Sequence, residues 1–389
     1  MCSTSRRGPR RASTAARTST WRRCSPRSSR TSPPEEDAMT AVGAGVSIQV
    51  SAHLAVSDED WSGLRFPEQP GGVDYLRAIA ETVKDSEFHY FLAWRDGRLI
   101  GAAYGFLFRY PVIGPLRVPL FVGGSPVNVG SPFYFVSPEA AVDALPGLLE
   151  AMAATASRLR AALLVVRDLW EPDEHAVGGP ELLRRGFRRV PMYVDALLPL
   201  TWTDFDGYLA SLPSARRKDM RRDARRFTRD GYRVEVASTP LGRTTVATMH
   251  ALWRALYEKY RDRDQVWLTE DYFDRVSALP QSTVLLALRD DELIGFDLLL
   301  RRGEVLESVY SGVDQGRVGG TPVHRHLGHE IIRLAIERGL GAVDFGISNE
   351  DAKARMGCEL RVARAYVRPL SRLARLLRLG RLVFPDQAL

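Results

Sequence analysis

The sequence predicts a mixed α/β protein in which two similar units, each with a mixed sheet, follow one another along the chain. The observation behind this prediction is an internal repeat. Residues 91–101 and 285–295 both contain a strand, a charged turn of Arg-Asp-Gly or Arg-Asp-Asp, and a second strand that begins with Leu-Ile-Gly. Two apolar strands joined by a tight polar turn are typical of a β-hairpin. We therefore expect one hairpin in each unit.

The elements after each hairpin also occur in the same order: a leucine-rich helix, a short apolar strand, a turn centred on glycine, and a final strand. In the first unit they are residues 145–160, residues 162–166, Gly186 and residues 192–198. In the second unit they are residues 323–338, residues 342–345, Gly357 and the apolar stretch after it. A repeated order of elements predicts two related units, and a ligand is expected in the cleft between them.

Length and charge limit the possible functions. The 389 residues suffice for two domains of ordinary size. Of the net charge of +7, residues 1–38 carry nine Arg and three acids, so the remaining chain is almost neutral. This first segment is rich in Arg, Ser and Pro, and we expect a disordered leader that need not be translated. It contains no apolar core of a signal peptide, and the chain lacks the run of about 18 apolar residues of a membrane span. We expect a cytoplasmic protein that does not bind DNA.

Cysteine usage argues against a disulfide framework and against a zinc site made of thiolates. Two of the three cysteines, Cys2 and Cys24, lie in the leader. The remaining one, Cys358, is predicted to be a small buried residue rather than a nucleophile.

We divide the chain into five segments. They are the leader 1–38, a first domain 46–200, a linker with a basic helix 201–231, a second domain 232–369, and an amphipathic basic tail 370–389. The tail either caps the second domain, which we favour, or lies on an anionic membrane surface as a peripheral contact.

The linker contains a strongly basic helix, residues 214–230, that ends at Gly231. Bases recur at four-residue spacing, as in Arg217, Arg221 and Arg225, and form two adjacent stripes. A solvated helix is the usual explanation of such a pattern. The alternative is a surface for an anionic partner such as tRNA, coenzyme A or a phospholipid-linked precursor, and here Arg217 and Arg221 are candidate donor-binding residues.

A glycine-rich turn at residues 310–322 runs from a strand into a helix whose N-cap is predicted at Thr321 and whose first residue is predicted at Pro322. Free backbone N–H groups at such a helix start bind phosphate or carboxylate. The candidate donor-binding residues are Arg317, Gly319, Gly320 and Thr321. The alternative is a capped turn without a ligand.

Several motifs of the second half together resemble the Fem-like and CelD-like acyltransferases of the GNAT superfamily, which are described as peptidoglycan biosynthesis or recognition proteins. They are residues 202–226, 267–273, 336–340 and 344–357. The resemblance implies two tandem GNAT-like domains that transfer an acyl or aminoacyl group to an amine. The acceptor would be a cell-envelope precursor, a small peptide or a natural product. No tightly bound cofactor is implied; the donor is acyl-CoA, which we favour, or aminoacyl-tRNA.

One departure from the family pattern leaves a second function open. Pro322 stands where the donor turn of the family carries a small residue. A module that keeps the fold but only binds peptidoglycan precursors or an envelope polymer is therefore the alternative to an enzyme.

The catalytic candidates are polar residues around the expected donor site. Lys353 matches the Lys in the last turn of the family and would stabilise an oxyanion or hold a phosphate. The other candidates, as general bases for the acceptor amine, are His324, Asp314 and Asp344, with Glu307 as a further rival. A metal site is not predicted, because only His326 and His329 would point in the same direction on their helix.

Aromatic residues of the second half are candidates for the acceptor pocket. They are Trp253, Tyr257, Trp267 and Tyr310. The first two recur at helical spacing, which is also typical of a core-facing stripe.

Overall fold

The computed structural model describes residues 38–42, 45–67, 72–83, 86–111, 117–170, 174, 178–259, 266–347 and 349–376. The leader up to residue 37 and the tail from residue 377 onward lie outside the described residues. The strands are β1 Ala38–Val42, β2 Val46–Ser51, β3 Glu87–Arg95, β4 Arg98–Pro111, β5 Arg117–Gly123, β6 Phe133–Phe135, β7 Leu163–Trp170, β8 Arg188–Pro199, β9 Tyr232–Val236, β10 Ser282–Arg289, β11 Glu292–Arg302, β12 Val305–Val313, β13 Ala342–Ile347 and β14 Glu359–Pro369. The helices are α1 Asp58–Ser62, α2 Gly72–Thr82, α3 Pro138–Arg158, α4 Gly179–Arg184, α5 Phe205–Ser211, α6 Ser214–Arg229, α7 Arg243–Lys259, α8 Glu270–Ser277, α9 Val323–Glu337, α10 Glu350–Ala354 and α11 Arg372–Leu376.

The strands of both units form one continuous mixed sheet in the order β1-β2-β3-β4-β5-β7-β14-β8-β13-β12-β11-β10-β9, with β6 paired to β4. Each unit contributes an antiparallel hairpin, a third strand, and a strand parallel to the third, which is β7 beside β5 or β13 beside β12. The two units exchange their last strands. β8 of the first unit pairs with β13, whereas β14 of the second unit lies between β7 and β8.

The repeat seen in the sequence extends to details of the backbone. In the first hairpin, Ile100 is left without a pairing residue, because Ala93 pairs with Gly101 and Trp94 with Leu99. The second hairpin has the same β-bulge at Ile294. The glycine after each bulge lies against the following part of its own unit. A Cβ atom at Gly101 would come within 2.8 Å of Phe135, and one at Gly295 within 3.2 Å of Val323, the first residue of α9.

The hydrophobic cores lie on both faces of the sheet. The face that we call the front carries α3 and α4 over the first unit and α5, α6 and α9 over the second. The opposite face, called the back, carries α1, α2, α7 and α8 over a single core shared by both units. Across the unit boundary on this face, the hydroxyls of Tyr75 and Tyr272 lie 3.2 Å apart, and Arg275 pairs with Glu81. Much of the expected cleft between the units is therefore filled.

The basic helix predicted in the linker is confirmed as α6. Its apolar side buries Met220 and Phe227 against α9 and β9, while Arg221 and Arg225 are exposed. Gly231 follows the helix with a φ of +81°, a conformation that glycine adopts without strain. The sequence thus predicts both the extent of this helix and its end.

The first residue of the tail contacts the first unit, whereas we expected the tail to cap the second domain; residues 377–389 lie outside the described residues, so the prediction for the whole tail stays open. The backbone N–H of Leu370 donates to the carbonyl of Ala162, and Leu370 packs on the front core of the first unit rather than on the second. The reason is the strand exchange, since β14 delivers the chain beside β7. In the part of the chain that the structure describes, no helix has the length and apolar composition needed to cross a membrane.

Gly312 on β12 permits close packing of α7, and its replacement by Ala tests this contact. An added Cβ would lie 2.9 Å from the backbone of Leu252 and 2.8 Å from the ring of Phe296. We expect Gly312→Ala to lower the free energy of unfolding by about 1–3 kcal/mol, as overpacking does elsewhere. Denaturant unfolding measures the change, with Gly242→Ala as the control, because a Cβ there meets no atom within 4 Å. Equal losses in both variants would contradict the packing argument.

Candidate active site

The candidate site lies where β12 and β13 separate, a region that we call the splay. The two parallel strands pair only from Val305 and Ala342 to Glu307 and Asp344. Beyond these pairs, β12 continues along β11 with a bulge at Val309, whereas β13 turns toward β8 through Gly346 at a φ of +67°. In the described part of both strands, the facing backbone groups beyond Glu307 therefore have no ladder partner. Such groups are available to hydrogen bond a ligand.

The helix start beside the splay differs from the prediction. Helix α9 begins at Val323, and its N-cap is Pro322, with a ψ of 57° and no side-chain cap. Thr321, the predicted cap, instead donates its hydroxyl to Asp230 Oδ2 at 2.6 Å. The predicted cap is wrong because this hydroxyl is held by the residue that ends α6. The first N–H groups of α9, including that of His324, have no intrahelical acceptor and are suited to an anion.

The glycine turn meets the end of the basic helix. Gly319 and Gly320 have φ values of +55° and +81°. The guanidinium of Arg226 donates to the carbonyl of Gly319 at 3.4 Å, and a Cβ at Gly320 would lie 3.3 Å from Arg226 Nη2. A half-buried arginine, two glycines and an uncapped helix start thus occur together. This combination has the chemistry of a phosphate site.

The other basic residues predicted to bind the donor have different surroundings. Arg317 pairs with Glu292, and its carbonyl accepts a hydrogen bond from Tyr232 at 3.2 Å. Arg217 donates to the carbonyls of Ala210 and Leu212 at 3.0 and 2.5 Å. Arg221 is exposed on α6. Gly319, Gly320 and Thr321 therefore lie at the helix start, and among the basic residues it is Arg226 that joins them.

Lys353 lies in α10 directly below the end of β13. Its ammonium donates to the carbonyls of Phe345, Gly346 and Ile347 at 2.6, 2.8 and 2.9 Å. Burial lowers the pKa of Lys353, while Asp195 and Asp344 oppose the shift. Because an ammonium has three hydrogens, these three contacts use its full donor capacity. The geometry therefore gives Lys353 the task of fixing the turned end of β13.

His324 lies on the front side of the splay. Its Nε2 is 3.3 Å from Ser311 Oγ on β12, and the side chain is exposed to solvent. Surrounding protein atoms and the Lys353 ammonium lower the pKa of His324, so its ring is neutral at neutral pH. Asp314 lies in the turn after β12, where its Oδ1 accepts from the N–H groups of Gly316 and Arg317 at 3.0 and 3.2 Å.

On the back side of the splay, three buried acids and two arginines form a group that we call the carboxylate cluster: Glu307, Asp344, Asp195, Arg302 and Arg361. Arg361 on β14 pairs with Asp195 and lies 3.1 Å from Asp344 Oδ2. Arg302 lies 3.2 Å from Asp344 Oδ2 and 4.0 Å from Glu307 Oε2. The exchanged strands β8 and β14 thus bring charged groups of both units to the splay.

The carboxylate cluster holds a proton near neutral pH. Burial raises the pKa of Glu307 to about 8, although Arg302 opposes the shift. Burial, followed by the nearby Asp344, raises the pKa of Asp195 to about 7 against the effect of Arg361. Among the described residues, Glu307 Oε2 has no hydrogen-bond donor. A carboxylate with these properties is suited to accept a proton from a substrate.

The four aromatic residues predicted for the acceptor pocket do contact one another. Trp253 lies 5.2 Å from Tyr257, 5.5 Å from Trp267 and 6.5 Å from Tyr310 between ring centroids. Trp253 is only 3% exposed and belongs to the back core. Tyr310 differs from the others, because its hydroxyl crosses the unit boundary and donates to the carbonyl of Val127 at 2.8 Å.

The histidines and the cysteine of the second unit have structural surroundings. The ring of His326 packs 4.0 Å from Phe227 and 6.2 Å from His329. Among the described residues, no group of three or more His, Cys, Asp or Glu side chains is arranged to hold a metal ion. Cys358 is buried, and burial raises the pKa of its thiol to about 12, so it is protonated at neutral pH.

Sequence reasoning grouped Arg226 with the other bases of the basic helix and did not place it beside the glycine turn, and it missed Asp168 on β7, Asp195 and Arg361. A signal for the acids was present, because Asp168, Asp195 and Asp344 each interrupt an apolar strand. A carboxylate within a buried strand needs a partner or a ligand. The sequence does not reveal which cation from another strand provides it.

With this geometry described, the chain was compared with known proteins. Residues 214–354 match the profile of the family described as Acetyltransferase (GNAT) domain. No curated protein sequence matches the chain at a significant level.

Solved structures similar to this chain have low sequence identity to it and show the fold. FemX has 13% identity and a TM-score of 0.55 over 80% of this chain and 96% of FemX. The C-terminal domain of a putative lysylphosphatidylglycerol synthetase from Agrobacterium fabrum has 14% identity and a TM-score of 0.54, covering 82% and 94%. A tandem GNAT protein from the clavulanic acid biosynthesis pathway has 12% identity and a TM-score of 0.51, covering 83% and 99%. Residues 214–354 therefore match a GNAT acetyltransferase domain, and the fold of the whole chain is similar to that of FemX and of a tandem GNAT protein.

Proposed function

We propose that the protein transfers an acyl group from an activated donor, held at the front of the splay, to a primary amine that approaches from the back. The observation that carries this proposal is the position of Glu307. It is the last residue of β12 to pair with β13, and its unpaired Oε2 lies on the back side, opposite the helix start of α9. In this proposal the two substrates meet where β12 and β13 stop pairing.

In the proposed reaction, the acceptor arrives as an ammonium and gives one proton to Glu307 Oε2. The nitrogen lone pair attacks the donor carbonyl carbon and forms the C–N bond. The C–S bond of a thioester, or the C–O bond of an aminoacyl ester, then breaks, and the leaving thiolate or alkoxide takes up the second proton of the attacking nitrogen, which leaves a neutral amide. The unpaired N–H groups of β12 beyond Glu307 are suited to stabilise the oxyanion of the intermediate.

Lys353 acts in this proposal as a positioning residue. Its ammonium holds the three carbonyls at the end of β13 and thereby keeps the splay open. His324 and Ser311 line the front side. Because the ring of His324 is neutral, we assign it contact with the acyl donor rather than the role of a general acid. Asp344 orients Arg302 and Arg361 around Glu307.

The donor that we favour is acyl-CoA, with aminoacyl-tRNA as the alternative. Both donors carry phosphate groups, which the backbone N–H groups at the start of α9 and the guanidinium of Arg226 are suited to bind. If the donor is aminoacyl-tRNA, which is larger than acyl-CoA, the exposed basic face of α6 would contact its additional phosphates. Cell-envelope precursors, peptides and natural-product amines are the acceptor classes that we propose, and the cytoplasm is the proposed location.

Arg226→Ala tests the donor site. We expect the KM for acyl-CoA to rise about tenfold with little change in kcat, because one charge-assisted contact to phosphate is lost. Steady-state kinetics at varied donor concentration measure the change. Arg222→Ala is the matched control on the same helix, since Arg222 is exposed and pairs with Asp219 at 2.9 Å. A similar rise in both variants would assign the effect to the overall charge of α6.

The transfer itself is tested by incubating the protein with acetyl-CoA or a charged tRNA mixture and a set of primary amines. Mass spectrometry detects the acylated product, and ribonuclease treatment separates the two donors. Product that survives ribonuclease and requires acetyl-CoA supports the favoured donor. Absence of product with every donor would support the alternative of a binding module.

A further inference from the structure

The first unit has its own splay, and a buried acid lies at it. β5 and β7 pair in parallel from Leu120 and Leu163 to Gly123 and Val166, and the chain then leaves β5 through residues 124–132. Asp168 follows on β7 with a φ of +66° and no exposed surface. An acid with a left-handed backbone inside a strand is strained, and such strain is often maintained at functional sites.

Asp168 and its neighbour Asn128 have polar atoms that the protein does not fully satisfy. Arg167 Nε donates to Asp168 Oδ2 at 2.6 Å. Burial raises the pKa of Asp168, while Arg167 and a backbone hydrogen bond from Gly130 oppose the shift, so the carboxylate keeps lone pairs but is not isolated. Among the described residues, the side-chain atoms Nδ2 and Oδ1 of Asn128 have no hydrogen-bond partner, although only 7% of this residue is exposed. Leaving such groups unpaired costs about 1–3 kcal/mol each, so a ligand that pairs with them is favoured.

These groups lie near Glu307 of the second unit. The hydroxyl of Tyr310 donates to the carbonyl of Val127, the residue before Asn128. Burial raises the pKa of Tyr310, Glu307 raises it further, and Arg167 lowers it, so both charged groups act on this hydroxyl. Residues 124–132 thus approach the carboxylate cluster from the first unit.

The balance of charge around the unit boundary favours one added cation. The four acids Asp168, Asp195, Glu307 and Asp344 are accompanied by the three arginines Arg167, Arg302 and Arg361. Buried Asp297 and Lys353, whose ammonium acts on Asp195, Asp344 and Asp297, add one charge of each sign. When these five acids and four cations are all ionised, one negative charge remains uncompensated. Either a proton or a bound cation neutralises it.

We propose that Asp168 and Asn128 of the first unit bind the acceptor as a primary ammonium and present it to Glu307. An ammonium has three hydrogens. Asn128 Oδ1 and Glu307 Oε2 have no hydrogen-bond donor among the described residues, although Arg302 Nε lies 4.0 Å from Glu307 Oε2, and the Asp168 carboxylate keeps lone pairs beyond its bond from Arg167. A neutral hydroxyl supplies one hydrogen and no charge, so the site selects amines over alcohols. This inference rests on the proposed function and adds the residues of the first unit that select the amine.

The test measures acceptor binding without a donor, by titration calorimetry of the full chain. The probes are the primary amines lysine, 1,4-diaminobutane and glucosamine, with 1,4-butanediol and glucose as matched alcohols. We expect at least one amine to bind and its alcohol counterpart to bind at least tenfold more weakly. If no amine binds, or if the alcohol binds equally well, the proposal is overturned.

Two variants identify the residues. Asp168→Asn removes the charge, and asparagine tolerates the left-handed backbone, but it weakens the pair with Arg167. Asn128→Leu keeps that pair and removes only groups without partners, so its thermal stability should be unchanged or higher. We expect both to weaken amine binding at least tenfold, with exposed Asp206→Asn as the unaffected control. Unchanged amine affinity in a folded Asn128→Leu protein would overturn the proposal.

The same experiments separate this inference from the transfer reaction. Amine binding that depends on Asn128, without any acylated product, would support the acceptor site and contradict transfer. Product formation with an unchanged acceptor KM in Asn128→Leu would support transfer and contradict the acceptor site.

Discussion

Glu307→Gln is expected to lower kcat for amine acylation by about a hundredfold or more, the range that a general base contributes. The amide keeps the size of the side chain but cannot take the proton of the acceptor. Thermal stability should change little, because the acid already carries a proton over much of the neutral range: burial raises its pKa to about 8. Steady-state kinetics with acetyl-CoA and an accepted amine measure the loss.

The pH profile distinguishes a base from a structural residue. The base form of Glu307 becomes the major form only above about pH 8, so turnover of the unaltered protein should rise as the pH increases through this value. The rise should be absent in Glu307→Gln. Glu337→Gln, an exposed position at the end of α9, serves as the control with a normal profile. A variant at Glu307 that keeps the full rise would show that another group takes the proton.

Arg361→Ala is expected to lower the free energy of unfolding by about 3–5 kcal/mol, because it leaves buried carboxylates without their cation. Arg361 pairs with Asp195, contacts Asp344 at 3.1 Å and stacks 4.8 Å from the ring of Trp170. It also joins β14 to strands of both units. Denaturant unfolding measures the loss, which should shrink at acid pH as the carboxylates become protonated.

A double substitution separates the ion pair from general packing. Arg361→Met combined with Asp195→Leu removes both partners, and we expect it to recover much of the stability that Arg361→Ala loses. Arg333→Ala is the surface control; Arg333 pairs with Glu330 at 3.3 Å, is 43% exposed, and should cost at most about 1 kcal/mol. If Arg361→Ala costs no more than this control, the cluster is not held together by Arg361.

The repeat was sufficient to predict the fold class, because a hairpin pattern at residues 91–101 and 285–295 determines local structure. The bulges at Ile100 and Ile294, which the sequence analysis does not predict, both lie in the repeated Leu-Ile-Gly. The exchange of β8 and β14 was not predictable in this way. An alternating apolar strand specifies which face it buries, but it does not specify which neighbour it pairs with.

The candidate site was predictable where it depends on local backbone. The glycine turn at Gly319 and Gly320 and the start of α9 lie next to each other in sequence, so their proximity follows from the chain. Arg226 reaches this turn from 93 residues away, and only the tertiary structure shows that contact. For the same reason, the sequence alone does not single out Glu307 among the candidate general bases, because its charged neighbours come from β8 and β14.

The exchange of last strands also constrains how the chain is made. During synthesis, β7 appears long before β14, the strand that finally covers its edge. Until then, the nascent first half presents an open strand edge, a state prone to wrong pairing and aggregation. The sheet of the amino-terminal half therefore cannot be completed until β14 has been synthesised. We expect the two halves to finish folding together rather than one after the other.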